Sequence, residues 1–189
     1  MLKIPDMVRP AKPEDVPDVI NLMRALAEFE DYIDDFRVDE QTLLDRAFGS
    51  EAQCRILVAE WAGRIAGYGV VLMIPFTFDL RPTMILKELY IGEAFRGRGL
   101  GHALLQRFAI MALESDAGRI KWDVLVGNRY AEAFYQKVGG FPDSKWVPYQ
   151  MGRQGIEQLA VGVKHPTAAL ADAHLHADYE TPQGDGSCL

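Results

Sequence analysis

The sequence has few cysteines and no long apolar run. Its two cysteines, Cys54 and Cys188, follow neither the spacing of a disulfide framework nor that of a zinc site. Cys54 lies in a predicted strand and is typical of a small core residue. No stretch approaches the roughly 20 apolar residues of a membrane-spanning helix, and the N-terminus lacks the apolar core of a signal peptide. We therefore predict a cytoplasmic protein with no membrane partner.

The sequence also has no excess of positive charge, because 20 lysines and arginines stand against 27 aspartates and glutamates and give a net charge of −7. Nucleic acids and anionic membranes select clustered lysine and arginine, so the sequence predicts no nucleic-acid partner. Acidity is compatible with a cationic substrate, but it also occurs for solubility alone. A hydrophobic fraction of 49% and a charged fraction of 25% are ordinary globular values. The length suits one domain with a substantial core.

We place that single domain at residues 1–163 and predict a tail of low order at residues 164–189. The tail is rich in alanine and then in small polar residues, so it offers little to pack. It contains His174 and His176. Two histidines without cysteine or carboxylate partners in an ordered frame do not make a metal site, and we predict no metal.

One stretch, residues 84–105, combines a predicted strand, a glycine-rich turn and the start of a helix. Residues 84–91 are rich in apolar residues that favour strands, and apolar residues recur at helical spacing from Ala103 onward. The turn between them contains Arg96, Gly97, Arg98, Gly99 and Gly101. Glycine permits positive φ and close approach to a ligand, and a helix start offers free N–H groups and about half a positive charge. This combination predicts a site for an anion such as pyrophosphate.

Three kinds of anion-binding loop could have this composition, and their spacing differs. A nucleoside-triphosphate loop ends in Gly-Lys-Ser/Thr, which is absent here. A dinucleotide fingerprint needs a third glycine where this chain has His102, although Asp123 lies at a suitable distance for its acidic residue. The third kind is the (Arg/Gln)-x-x-Gly-x-(Gly/Ala) motif of GNAT acetyltransferases, which this loop resembles at Arg96, Gly99 and Gly101. Taken alone, the segment could also be an ordinary glycine-rich turn before a helix.

The rest of the chain predicts alternating strands and helices. Strands are predicted at residues 8–11, 55–61, 65–74, 84–91 and 120–126, with a possible last strand at 146–151. Helices are predicted from Pro13 and from Ala103, and over residues 39–48 and 128–138. The first helix carries an apolar stripe that should pack on a sheet: Val16, Val19, Ile20, Met23, Leu26 and Ala27. The order strand, helix, strand over residues 84–126 predicts parallel pairing of those two strands.

This order is similar to that of the GNAT superfamily of N-acetyltransferases, and within it to the diamine (spermidine/spermine) acetyltransferase group. Residues 8–15, 26–30, 76–79 and 95–101 carry the resemblance, together with Asn128, Phe134 and Tyr135. It implies an α/β (α+β) GNAT fold with a mixed central sheet of about six or seven strands and helices on both faces. It also implies a splayed strand pair that holds acetyl-CoA as cosubstrate, and a homodimer.

The resemblance further implies which residues bind acetyl-CoA. Backbone groups of Leu89 and Ile91, which flank Tyr90, would pair with the pantetheine arm as an added strand does. The loop would hold the pyrophosphate through Arg96, Gly97, Arg98, Gly99, Leu100, Gly101 and His102. Asn128, Phe134 and Tyr135 complete the implied set. Asn128 is already explained as a helix cap, so contact with the cosubstrate would be an additional role.

Two residues are candidates for catalysis. An alkylamine with a pKa of about 10.4 is only about one part in a thousand neutral near pH 7, so a base is useful. Glu88 is the candidate base, directly or through water; alternatively it is a strand residue paired with an arginine. Tyr135 matches the family's general acid for the departing thiolate; alternatively it is a buried core aromatic. The amide of Leu89 or of a strand neighbour is the candidate donor to the oxygen that becomes negative.

Departures from the diamine group bear on the amine substrate. Two adjacent acids of that group correspond here to Lys87 and Glu88, and two of its tryptophans correspond to Arg81 and Gly127. These changes remove an aromatic face and add positive charge. We hypothesise an amine that carries its own carboxylate, which Arg81 or Lys87 could bind. The predicted substrate-binding residues are Phe29, Glu30, Arg81, Lys87 and Asp123.

The predicted function is transfer of an acetyl group from acetyl-CoA to a primary amine of a small molecule, by direct attack. The substrate could be a diamine, a polyamine or an amino-acid-like amine. Two alternatives remain: acetylation of a protein N-terminus or lysine, and a non-catalytic acyl-CoA-binding regulatory module. Tyr135 and the intact glycine loop argue against the regulatory module.

Overall fold

The structure is a computed structural model that describes residues 7–75 and 77–162. The predicted tail with its two histidines, and Phe76, which is one of the residues that carry the family resemblance, lie outside the described residues. The chain forms two compact units that divide after Phe141. The assignment of residues 1–163 to a single domain remains a prediction.

In the described residues, the first unit contains one mixed sheet and four α-helices. The strands are β1 (Val8–Pro10), β2 (Arg55–Trp61), β3 (Arg64–Ile74), β4 (Thr83–Ile91) and β5 (Arg119–Lys121). The helices are α1 (Val16–Phe29), α2 (Glu40–Ala47), α3 (Leu100–Glu114) and α4 (Arg129–Lys137). The sheet order is β1-β2-β3-β4-β5, with antiparallel pairs except for the parallel pair β4 and β5. The mixed α/β class and the parallel pair that flanks α3 are thereby confirmed.

Five strands in the described residues correct the predicted six or seven. The predicted strand at residues 120–126 keeps ladder pairs only in β5, which ends at Lys121. Residues 146–151 form no strand in the second unit. Pro148 has no N–H for a ladder, and Trp146 and Tyr149 are exposed. The helix that follows in this unit, α5 (Arg153–Ala160), was not predicted.

Helix α1 packs on one face of the sheet through its predicted apolar stripe. All six stripe residues are buried. Five of them, all but Ala27, share a core cluster with Val58, Tyr68 and Val70 of the sheet. Because burial of each such side chain contributes about 1.5–3 kcal/mol, this stripe alone fixes the helix on the sheet.

Helix α3 packs on the other face, as predicted. Leu104 and Phe108 are fully buried in a second core cluster with Met84 and Leu86 of β4. Gly69 of β3 makes the close approach possible, because a Cβ there would lie 2.6 Å from the Phe108 ring. The two helices leave β4 covered on both faces.

A β-bulge divides β4 in two. Val70 of β3 pairs with Glu88, but the next β3 residue, Val71, pairs with Leu86, so Lys87 is an extra residue in β4. A bulge re-aims the side chains that follow it. Leu86 therefore lies in the core under α3, whereas Tyr90 lies in the core under α1. The bulge also turns Glu88 to the α1 side.

The pairing of β4 with β5 ends after three residues. The last pair is Ile85 with Lys121, and beyond it no strand of the described chain pairs with this edge of β4. The N–H of Gly92 donates to the Ala66 carbonyl at 3.0 Å, so the backbone of Gly92 faces β3. By strand alternation, the backbone groups of Leu89 and Ile91 face the open edge. This geometry matches the predicted splayed pair of strands.

Candidate active site

The glycine loop leads from the open edge of β4 into α3. Gly97 and Gly99 have φ of 76° and 80°, and Gly99 is the N-cap of α3. Other residues adopt this left-handed conformation at a cost of about 1–2 kcal/mol. No atom lies within 4 Å of a Cβ built at either glycine, so the loop faces open space. Both glycines are therefore required by the backbone and leave room for a ligand.

The first turn of α3 presents free amides to that space. Its first intrahelical bond runs from the Ala103 N–H to the Gly99 carbonyl at 3.0 Å. The amides of Leu100, Gly101 and His102 precede this bond and have no partner within the helix. Leu100 is buried and anchors the turn, while the His102 side chain is exposed. Together with the helix dipole, these amides can hold an anion.

The two arginines of the loop contact the protein itself. Arg96 Nε donates to the Ile91 carbonyl at 3.2 Å, and its guanidinium lies 5.6 Å from the ring centre of Tyr90 and 5.8 Å from that of Phe29. The Arg98 guanidinium lies 5.2 Å from the ring centre of Trp61. These contacts fix the loop against β4 and the end of α1. Binding of a pyrophosphate by either arginine stays a prediction.

The end of β4 and the glycine loop that leads into α3 form a corner of the molecule. Helix α4 contacts this corner through Phe134. The end of its ring lies 3.4 Å from a Cβ built at Gly101, and Ile91 lies 3.8 Å from the same point. The Asn128 side chain accepts a hydrogen bond from the Ala131 N–H at 3.1 Å, which confirms its role as the cap of α4. The absence of a side chain at Gly101 thus lets Phe134 join α4 to the glycine loop.

Tyr135 is half-buried in an aromatic cluster. Its ring centre lies 5.0 Å from that of Trp122 and 5.2 Å from that of Phe134. Trp122 in turn packs on Gly140, where a Cβ would lie 2.6 Å from the indole. Burial, and then the charge of Glu30, raises the pKa of Tyr135 to about 12. Tyr135 therefore keeps its proton near neutral pH and can act as a donor.

Glu88 is a half-buried carboxylate held by a tyrosine. The Tyr68 hydroxyl donates to Glu88 Oε2 at 2.7 Å. Burial raises the pKa of Glu88, and the Tyr68 hydrogen bond and the Lys87 charge offset only part of that rise. Among the described residues no arginine forms an ion pair with Glu88. The carboxylate can ionise above its raised pKa, which suits a general base.

A second carboxylate faces Glu88 from the end of α1. Burial, and then the charge of Glu88, raises the pKa of Glu30. The same two causes, with Glu30 as a third, raise the pKa of Tyr32 to about 12. The charge of Glu88 thus disfavours the charged form of Glu30, and a nearby cation would favour it. Phe29, with half of its surface exposed, lies beside them under Arg96.

The remaining predicted substrate residues are not all at this corner. Lys87 is exposed at the bulge beside Glu88. Asp123 is exposed and lies two residues after Lys121, the last residue of β5. Lys121 pairs with Ile85 of β4, and Lys87 lies two residues after Ile85. Arg81 lies before the start of β4, at the end away from the glycine loop, where it bonds Asp116 at 2.5 Å. Charge interactions thus link Glu30 to Glu88 and to Tyr135, and Phe29 directly precedes Glu30, whereas Arg81 lies elsewhere.

Sequence reasoning missed Tyr68 and Trp122. Strand alternation without the bulge puts Glu88 on the face of Leu86, away from Tyr68. The one local signal for Tyr68 was an aromatic residue between two glycines, Gly67 and Gly69, in a predicted strand. Trp122 follows a three-residue strand, so its contact with Tyr135 depends on packing between distant segments.

Residues 7–75 and 77–162 contain no group of three or more histidine, cysteine, aspartate and glutamate side chains that could hold a metal. No helix in these ranges has both the length and the apolar character needed to span a bilayer.

Comparison with known proteins places these features in context. Residues 22–141 match the model of the acetyltransferase (GNAT) family. The chain is 28% identical over 165 residues to thialysine N-epsilon-acetyltransferase of Sus scrofa, covering 82% of this chain and 96% of the relative. It is 24% identical over 162 residues to spermidine/spermine N(1)-acetyltransferase-like protein 1 of Homo sapiens, covering 81% of this chain and 23% of the relative. Among solved structures, an integron cassette protein of V. cholerae superposes with a TM-score of 0.68 at 20% identity, covering 81% of this chain and 96% of that one.

Proposed function

Since the chain belongs to the acetyltransferase (GNAT) family, we propose that it is an acetyl-CoA-dependent N-acetyltransferase for a primary amine of a small molecule. The observation that carries this proposal is the corner at the end of β4. There an open strand edge at Leu89 and Ile91 leads directly into the free amides of residues 100–102. Glu88, Glu30 and Tyr135 lie around that corner. The corner thus offers anion binding, amine binding and proton transfer together.

The residues at this corner fit acetyl-CoA. The free amides and the positive φ of Gly97 and Gly99 suit the pyrophosphate. The outward backbone groups of Leu89 and the N–H of Ile91 suit the amide-bearing pantetheine arm, which can pair as a strand does, while the Ile91 carbonyl also accepts from Arg96 Nε. Acetyl-CoA would supply the acetyl group as an activated thioester. Apart from the adjoining residues, no atom lies within 4 Å of the position that a Cβ would take at Gly97 or Gly99, so this space is open to a ligand.

We assign proton transfer to Glu88 and Tyr135. Glu88 Oε2 accepts the Tyr68 hydrogen bond, which leaves Oε1 to accept a proton from the amine, directly or through water. The amide of Leu89, the next residue, faces the open edge and can stabilise the oxygen that becomes negative. Tyr135, which stays protonated near neutral pH, donates to the departing sulfur.

We propose that the amine substrate is amino-acid-like, with a terminal amine and a carboxylate. Glu30 and Glu88 face each other and suit the ammonium group. Lys87, exposed beside Glu88, suits the carboxylate. Arg81 is engaged by Asp116, so of the two alternatives we assign this role to Lys87. The similarity to a relative named for the ε-nitrogen of thialysine supports this substrate class.

A thiol-release assay with acetyl-CoA tests the function. The panel contains thialysine, lysine, ornithine, spermidine, putrescine and a peptide with a free N-terminus, and we expect the amino acids with terminal amines to react fastest. Spermidine as the best substrate would overturn the amino-acid-like class. A preference for the peptide would favour protein acetylation. Tight acetyl-CoA binding without thiol release from any amine would favour the regulatory module.

Substitution of Tyr135 by Phe tests the general acid. We expect Tyr135→Phe to lower kcat about 10²- to 10⁴-fold, because the proton donor is lost while the ring remains. Tyr130→Phe is the matched control, since Tyr130 lies on the same helix and is 74% exposed. Equal activity of the two variants would refute the assignment of Tyr135.

We further propose that residues 1–163 act as one acetyltransferase domain, as a homodimer in the cytoplasm, without a metal. The family match over residues 22–141 lies within that domain and supports it. Analytical ultracentrifugation measures the dimer, and activity that is retained in EDTA tests the independence from metal.

A further inference from the structure

We propose that Tyr68 is a positioning residue that holds the base Glu88 by one oxygen and leaves the other for the substrate amine. This inference rests on the proposed function, in which Glu88 accepts the proton. It assigns a role to a residue of β3 that is fully buried. Tyr68 would set both the direction and the proton affinity of the carboxylate.

The contact is well defined. Tyr68 is 0% exposed, and its hydroxyl donates to Glu88 Oε2 at 2.7 Å. Tyr68 pairs with Tyr90 across the sheet, and Val70 pairs with Glu88, so Tyr68 and Glu88 are diagonal neighbours. A buried ring with its backbone in two ladders cannot follow the carboxylate if it turns. The hydroxyl therefore fixes one rotamer of Glu88.

The bulge at Lys87 makes this contact possible. Without the extra residue, Glu88 would point to the α3 side, where Leu104 and Phe108 fill the core. With it, Glu88 shares the α1 side with Tyr68. The bulge and Tyr68 thus act together, because the first chooses the face and the second chooses the orientation.

The same contact tunes the carboxylate. Burial raises the pKa of Glu88, whereas the Tyr68 hydrogen bond and the charge of Lys87 lower it. Glu30 and Tyr32 face it from the end of α1, and Cys54 faces it from the segment before β2. Burial and the nearby carboxylates raise the pKa of Tyr68 far above its usual value, so its hydroxyl remains a donor throughout the working range. Tyr68 stabilises the charged carboxylate, which is the form that acts as a base.

The experiment combines Tyr68→Phe with Glu88→Gln. We expect Tyr68→Phe to lower kcat about 10- to 100-fold near pH 6, because a hydrogen bond to a charged group is lost. The acid limb of the pH–rate profile should move up by about one pH unit, and the KM for acetyl-CoA should not change. In the Glu88→Gln background, Tyr68→Phe should cost almost nothing further, because it acts through the carboxylate.

Two controls separate positioning from stability. Val58→Ala removes buried volume from the same core cluster and should lower stability without moving the acid limb. In the unmodified protein without substrate, the ¹³C signal of the Tyr68 ring carbon that bears the hydroxyl should follow the titration of the Glu88 carboxyl signal. This NMR measurement needs no variant to fold.

The results distinguish failure of this inference from failure of the proposed function. Full activity of Glu88→Gln would overturn both the base and its positioning. A strong loss in Glu88→Gln, with an unshifted acid limb in Tyr68→Phe, would overturn the positioning alone. So would a Tyr68 ring signal that ignores the titration of Glu88. A shifted limb, a coupled titration and a non-additive double variant would together establish the role of Tyr68.

Discussion

The two halves of β4 differ although they form one continuous strand. Residues 83–86 pair on one edge with β3 and, up to Ile85, on the other edge with β5, and most of their side chains are buried. Among the described residues, 88–91 pair with β3 alone and leave their other edge open. Lys87, the bulge residue, lies between the halves. The first half satisfies its backbone within the sheet, whereas the second keeps backbone groups and a carboxylate available.

This difference teaches where stability and chemistry reside in the strand. The first half contributes to stability through its buried side chains, since Met84 and Leu86 lie in the core under α3. The second half contributes to the chemistry through its polar groups, since Glu88 is half-buried and held by one hydrogen bond. Substitutions in the two halves should therefore change different measured quantities.

Glu88→Gln should give the largest effect and confine it to activity. We expect kcat/KM to fall about 10²- to 10⁴-fold near pH 6, because the base is lost. The loss should shrink toward pH 10, where the amine loses its proton without help. A pH–rate profile of the variant that runs parallel to that of the wild type would contradict the assignment.

Glu88→Gln should also change the stability of the protein, in a direction that follows from the pKa of Glu88. Burial raises the pKa of Glu88, so the folded protein holds this proton more tightly than the unfolded chain does. The ionised carboxylate therefore costs stability as pH rises through the raised pKa, and no such cost exists below the unfolded pKa of about 4.5. Relative to the wild type, Glu88→Gln should gain unfolding free energy between about pH 4 and neutral pH. Urea unfolding at both pH values measures this difference, and the opposite sign would contradict it.

Met84→Ala should give the next effect and confine it to stability. Met84 is buried under α3, and its truncation should lower the free energy of unfolding by about 2–5 kcal/mol. Leu89→Ala is the matched change in the open half, where the side chain is only half-buried, and should cost less than half as much. Equal losses in denaturant unfolding would break the contrast between the two halves.

Gly99→Ala should give a smaller effect, at the loop into which the open half leads. A side chain at φ of 80° costs about 1–2 kcal/mol, and relief of that strain would move the free amides of α3. We expect the KM for acetyl-CoA to rise about 5- to 30-fold. Gly49→Ala is the control, because Gly49 also has positive φ with open space but lies after α2. It should cost similar stability and leave this KM unchanged.

Lys87→Gln should give the smallest effect, on substrate choice. Removal of this exposed cation should lower the preference for thialysine over a diamine of equal length by about 2- to 5-fold, since one exposed ion pair contributes about 1 kcal/mol or less. The ratio of kcat/KM for the two amines measures it. An unchanged ratio would exclude Lys87 from carboxylate binding.

Much of the fold and part of the site followed from local sequence. The stripe of α1, the hairpin of β2 and β3, and the cap at Asn128 depend on residues within a few positions of each other. The glycine loop is local in the same sense, because Gly99 must take a positive φ just where α3 begins. Such features depend on helical or strand periodicity and on backbone freedom, which a sequence displays directly.

The sequence by itself thus determined most of the strands and helices, the mixed α/β class and the glycine loop before α3. Only the tertiary structure decided that Lys87 is a bulge, that β5 ends at Lys121, that Arg81 bonds Asp116 and that Tyr68 holds Glu88. The physical reason is that one extra residue in a strand reverses the faces of all that follow. Whether a strand accepts that residue depends on its partner strand and on the helices packed on both faces.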